Sequence, residues 1–183
     1  EVVVADALQI DRLRATLQDI DTAYYLIHSL ALGPEKFAST DIRAASNFRR
    51  IAEEMGIKRI IYLGGLGDIR SDLSSHLRSR VEVAAELSRG NVPVTVLRAA
   101  VIVGSGSASY EIIQHLVRKC RILLIPPWAK NRCQPIAIRD VIKYLVGVLE
   151  KSETIGRSFD IGGRNILTYE QMLTILGRLL GKK

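Results

Sequence analysis

Apolar positions along the chain fall into two patterns: short β-branched runs, and longer stretches at helical spacing. Val2-Val3-Val4, Tyr24 to Ile27, Ile60 to Leu63 and Val94 to Leu97 are runs of the first kind, and a short continuous apolar run reads as a parallel strand buried on both faces. Between them, Asp41 to Met55 sets Ala44, Ala45, Phe48, Ile51, Ala52 and Met55 on one side and stops at Gly56, which predicts a helix closed by a glycine C-cap. Ser74 to Leu87 and Ser107 to Cys120 predict two more helices. Strand, helix and strand in alternation make βαβ units, so the predicted class is α/β, with helices on both faces of a mostly parallel sheet.

The last third changes character. Pro126-Pro127-Trp128 breaks the pattern, and Trp128 there reads as a packing anchor. A short apolar segment at Pro135 to Ile138 follows, then a helix over Asp140 to Leu149, a strand over Ser158 to Ile161 and a helix from Thr168. Thr168 is an N-cap candidate, and Gln171 three residues on completes a capping box. The organisation expected is one domain over 1–183, with 121–183 forming a small C-terminal lobe. Because a strand-like run follows Glu1 at once, the chain reads as a fragment, N-terminally incomplete.

Composition narrows the function classes. With 183 residues, 48% hydrophobic and 25% charged, the chain suits one well-cored domain. No apolar run reaches the roughly 18 residues of a membrane span and no signal segment opens the chain, so a cytoplasmic protein without a membrane span is expected. Cys120 and Cys133 lack CxxC spacing, which leaves a metal or dithiol motif unsupported, and both are expected to be reduced thiols. The net charge of +7 and pI of about 9.6 would suit an anionic partner. The basic residues are nevertheless dispersed along helical stretches among acidic and apolar ones, and aromatics are only 5%, which disfavours nucleic acid.

In their order and spacing these segments resemble the atypical and extended short-chain dehydrogenase/reductases, in the NmrA-like and NAD-dependent epimerase/dehydratase-like branches. The resemblance covers essentially the whole chain from Asp6. It rests on Asp6-Ala7, on Ala23 to Ser29, on Asn47, on Lys58 to Gly67, on Arg98 to Gly104, on Pro135 to Val141 and on Phe159 to Gly163. The resemblance implies a Rossmann-like doubly wound fold that takes NADP or NAD as cofactor and a small-molecule carbonyl or alcohol as substrate. It implies that Asp6 and Ala7 contact the adenine, and that His28, Ser29, Asn47, Gly64, Gly65, Arg80 and Ala100 stand beside the cofactor. The loop Gly104-Ser105-Gly106, with Arg132, would border the substrate on the side of the small lobe. Whether the protein forms an oligomer is left open.

Two departures matter. The glycine-rich turn that presents backbone N–H groups to the cofactor pyrophosphate is nowhere upstream of Asp6, so the chain is expected to lack its first βαβ unit and to bind NAD(P) weakly alone. The family's Ser, Tyr and Lys centre is also altered. Gly65 stands at the Ser position, and His76 and Arg80 stand where Tyr and Lys would.

His76 and Arg80 share a helix face at i, i+4 spacing, and a His that titrates near neutrality beside a guanidinium suits proton transfer. An ordinary surface His and Arg fit the same spacing. Gly104 to Ser107 has two glycines of a phosphate cradle without the third, and a turn ending in an N-cap at Ser107 explains it as well. Arg98, Arg132 and Arg139 would meet an anionic substrate or pair with Asp140 or Glu111. The functions weighed are an NAD(P)-dependent oxidoreductase or epimerase with a degenerate centre, a non-catalytic NAD(P)-binding sensor or assembly factor, and a basic nucleic-acid-binding module favoured only by the pI.

Overall fold

The computed structural model describes residues 2–28, 37–67, 73–119 and 127–182. The chain forms two compact units, one of residues 1–98 with 147–160, the other of 99–146 with 161–183.

The first unit is built on a four-stranded, mostly parallel sheet in the order β1-β2-β3-β7, with β1 at Thr22–Tyr25, β2 at Arg59–Gly65, β3 at Val94–Ala99 and β7 at Ser158–Ile161. β1 and β2 pair in parallel, Ala23 opposite Ile60 and Tyr25 opposite Tyr62. The strands predicted from Tyr24 to Ile27, Ile60 to Leu63, Val94 to Leu97 and Ser158 to Ile161 are present, β1 two residues earlier than its apolar run. Ile60, Ile61 and Tyr62 are fully buried, as a run covered on both faces requires.

Helix α2, Phe37–Glu54, turns the predicted stripe inward: Ala44, Ala45, Phe48, Ile51 and Ala52 are all buried. It ends at Gly56, whose φ of +72° is the left-handed conformation that glycine adopts without strain, and the N–H of Ile57 returns to the Ala52 carbonyl. Helix α3, Ser75–Leu87, starts at an N-cap in which Ser74 Oγ accepts from the N–H of Leu77. It packs on α2, and the buried Glu86 carboxylate is held by Arg49 at 3.3 Å and Arg89 at 2.8 Å.

Two expectations fail in this unit. Val2, Val3 and Val4 do not form a buried strand: they are 95%, 58% and 86% exposed and have no strand assignment. Among the described residues β1 bonds only to β2, and β-branched residues favour a strand only where there is a partner to pair with. Helix α1, Ile10–Thr16, was not anticipated.

The second unit has short strands and longer helices. β4 (Ile102–Val103) pairs in parallel with β6 (Ile136–Ala137), and β5 (Arg132–Cys133) runs antiparallel to β8 (Leu167–Thr168). Helix α4 spans Ala108–Lys119, α5 Ile138–Leu149, whose last turn belongs to the first unit, and α6 Tyr169–Leu179. The predicted capping box opens α6: Gln171 N–H donates to Thr168 Oγ1 at 3.1 Å, and Thr168 N–H to Gln171 Oε1 at 2.8 Å. Trp128, expected to be a packing anchor, meets the Tyr169 ring edge-on with centroids 5.7 Å apart and is 55% exposed. Cys133 is a free thiol 3.7 Å from Met172 Sδ, and Cys120 lies outside the described residues.

Candidate functional site

Of the candidate residues of the first unit, His28 follows β1 and Gly64 and Gly65 end β2, at the carboxyl ends where open α/β sheets bind ligands. Asp6 and Ala7 form a corner in which Asp6 Oδ1 accepts from the N–H of Leu8 at 2.9 Å, an Asx turn that leaves the second carboxylate oxygen exposed. Asn47 reaches the same corner: its Nδ2 donates to the Ala7 carbonyl at 3.1 Å and ties α2 to it. His28 follows β1 and is exposed, with Leu26 and Ile27 beside it also open to solvent. Ser29 lies outside the described residues.

Beside them Gly64, Gly65 and Arg80 line an open cleft of about 260 Å³, together with Tyr62, Gly67, Arg98 and Ser158. Gly65 has a packing reason to be glycine. A Cβ built there would lie 3.0 Å from Leu77 Cδ2 and 3.5 Å from the Arg80 side chain, so the absent side chain lets α3 close on β2. Arg98 forms an ion pair with Asp160 at 2.6 Å, not with Asp140 or Glu111. Asp140 pairs with Lys143 at 3.0 Å.

His76 and Arg80 are one turn apart on α3, as their spacing predicts, but Arg80 is no ordinary surface arginine. It is 9% exposed, its Nη1 donates to the Ile27 carbonyl at 3.5 Å, and its own carbonyl accepts from the Tyr62 hydroxyl at 3.3 Å. His76 is half-buried. Burial, then the charge of Arg80 and then His28 push its pKa below the usual 6.5, while Asp41 opposes them. The imidazole is therefore neutral at neutral pH and free to accept a proton. Desolvation raises the phenols of Tyr25 and Tyr62, so both remain protonated. Among the described residues no cluster of His, Cys, Asp and Glu could hold a metal ion, and no helix is long and apolar enough to cross a membrane.

The remaining candidates belong to the second unit. Ala100 follows β3, Gly104 packs against Ile138 in the turn from β4 to α4, and Ser105 and Gly106 are exposed. Ser107 is the N-cap its position suggested, its Oγ accepting from the Tyr110 N–H at 3.4 Å and donating to the Ile102 carbonyl at 2.5 Å. Arg132 is exposed on β5, opposite Thr168.

No family model matches this chain, and no curated protein matches its sequence. Solved structures match its fold over its full length. An epimerase from Methanothermobacter thermautotrophicus superposes on 100% of the chain with a TM-score of 0.82 at 14% identity. The chain shares the Rossmann-like α/β fold of that protein. The Bordetella bronchiseptica enzyme WbmG, solved with NAD and UDP, matches 100% of the chain with a TM-score of 0.80 at 13% identity. The UDP-glucuronic acid 4-epimerase of Bacillus cereus, solved with NAD, matches 98% with a TM-score of 0.77 at 19% identity. The chain spans 63%, 64% and 65% of the length of these three proteins.

Sequence reasoning missed two residues at this site. Asp41 was read as the start of a helix, yet it is 3% exposed, and its place on the stripe of Ala44, Ala45 and Phe48 was the available signal. Tyr62 was read only as part of a buried strand.

Proposed function

We propose that the chain is part of an NAD(P)-binding cytoplasmic oxidoreductase or epimerase of the atypical short-chain dehydrogenase/reductase kind, acting on a small-molecule carbonyl or alcohol. The observation that carries this reading is the placement, one turn apart on α3, of a half-buried His76 and a buried Arg80 that lines the cleft over the end of β2. Asp6, Ala7, His28 and the backbone at Gly64 would hold the cofactor. The exposure of Asp6 and of His28, the latter just after β1, suits that role, and the NAD bound in WbmG and in the Bacillus cereus epimerase supports it. NAD(P), when bound, supplies the acceptor or donor of hydride. The chain's own part is proton transfer and orientation: neutral His76 takes a proton from a substrate hydroxyl, or in the reverse direction its imidazolium gives one to a carbonyl oxygen, and Arg80 offers positive charge to the oxygen as it becomes negative.

The test is hydride turnover of the full-length protein against a panel of carbonyl substrates, read by nicotinamide absorbance. His76→Ala should lower turnover roughly 100-fold with cofactor affinity nearly intact, whereas Arg80→Ala should weaken cofactor binding as well. Gly65 favours a second reading, a non-catalytic NAD(P)-binding sensor, because the close approach of α3 there takes up the space of the family's catalytic Ser. Cofactor binding with no turnover, unaffected by His76→Ala, would establish that reading and remove the first.

A further inference from the structure

A buried polar cluster lies at the turn of α3 that carries His76 and Arg80. Asp41 on α2 is 3% exposed and Ser79 on α3 is 1% exposed, and the Ser79 hydroxyl donates to Asp41 Oδ2 at 3.2 Å. Ser79 is adjacent to Arg80 and three residues from His76, so this bond acts on the turn that holds both. Three elements grip that turn: α2 through Asp41 and Ser79, β2 through the Tyr62 hydroxyl on the Arg80 carbonyl at 3.3 Å, and the segment after β1 through Arg80 on the Ile27 carbonyl at 3.5 Å. The Tyr25 hydroxyl, 1% exposed and without a hydrogen-bond partner among the described residues, senses the same charges, raised by Asp41 and lowered by Arg80.

A carboxylate is costly to bury and is kept in a core only where it is bonded or set against positive charge. Here the carboxylate accepts from Ser79, the residue before Arg80, and acts electrostatically on His76. We propose that Asp41 is a positioning residue for the His76 and Arg80 pair: it fixes their turn of α3 through Ser79 and supplies the negative charge against which both side chains are set. The proposal rests on the reading of that pair as the reaction centre. The charged groups acting on His76 are Arg80 on its own helix, His28 beyond β1 and Asp41 on α2, and the phenols of Tyr25 and Tyr62 face the same region. Arg80 and His28 disfavour the imidazolium, and Asp41 alone of the three favours it.

Asp41→Asn separates charge from shape, because the amide oxygen still accepts from Ser79. The chain has three histidines, and comparison with His76→Gln identifies the His76 ring signal in an NMR titration. In Asp41→Asn the His76 midpoint is expected to move down, and the pH profile of turnover should move the same way, with kcat falling more than KM changes. Ser79→Ala, a mild truncation, should shift the midpoint in the same direction by less, and it serves if Asp41→Asn does not fold. A midpoint unmoved or raised in the folded variants overturns the proposal, whatever turnover does. A midpoint that falls in a protein without hydride turnover supports the placement of Asp41 and overturns the reading of the pair as a reaction centre.

Discussion

Arg59 opens β2 but ends in the core of the first unit, 4% exposed, and among the described residues no carboxylate pairs with it. Its guanidinium donates to the Val148 carbonyl at 2.7 Å, to Thr95 Oγ1 at 2.7 Å and to Thr154 Oγ1 at 2.6 Å. It thereby joins β2, β3 and the carbonyls at the end of α5, where a positive charge also complements the helix dipole. Arg59→Met keeps most of the volume and removes every one of these bonds. At about 1.5 kcal/mol each, the low end for charged donors, the three short bonds contribute roughly 4 to 5 kcal/mol. Relief of the buried charge offsets part of this. The hydroxyls also keep their own acceptors, Thr95 the Thr154 carbonyl and Thr154 the Lys151 carbonyl. The expected net loss is about 3 kcal/mol. In urea unfolding followed by far-UV circular dichroism, with m about 2 kcal/mol/M, the midpoint should fall by roughly 1.5 M. Arg59→Lys should not rescue it, since one ammonium cannot span three acceptors set apart for a planar fork. A fall of less than about 0.5 M in Arg59→Met would refute the reasoning and make the guanidinium a neutral filler.

Thr168→Ala removes half of the capping box of α6 and should destabilise by about 1 kcal/mol, measured by the same unfolding. Gly65→Ser forces Leu77 and Arg80 aside and should lower stability by about 1 kcal/mol, a drop of roughly 2 to 4 °C in Tm by calorimetry. Because the pKa of His76 is lower folded than unfolded, the unfolded chain binds the proton first, and stability should be lost as pH falls below about 6.5. Chemical unfolding across that range should show a shallower pH slope in His76→Gln than in the wild type; equal slopes would count against the assignment.

What could be read from the sequence followed the strength of the burial signal. The Ile60 to Leu63 run and the stripe of α2 are unambiguous because nearly every apolar position in them is buried in the core. Helix α1 escaped notice because, of its seven residues, only Leu13 is buried, too thin a signal for a periodicity. Val2 to Val4 misled for the opposite reason, since β-branched residues advertise a strand whether or not a neighbour is there to bond. At the site, the spacing of His76 and Arg80 was visible, but the depth of Arg80 was not, because its partners are carbonyl and hydroxyl groups of Ile27 and Tyr62, far off in sequence. Arg59 reads as a polar boundary before a strand, and only the fold brings Thr95 and Thr154 to it.

Tyr25 and Tyr62, at 1% and 0% exposure, give the molecule a built-in indicator of its alkaline limit. Of six tyrosines, these two would bring a negative charge into the buried core on forming phenolate, so their ionisation is expected to accompany the opening of the core. The ultraviolet absorbance of phenolate, followed upward in pH, would thus rise first with the accessible rings and then with a cooperative step. That step records the collapse of the fold and not the acidity of any one side chain.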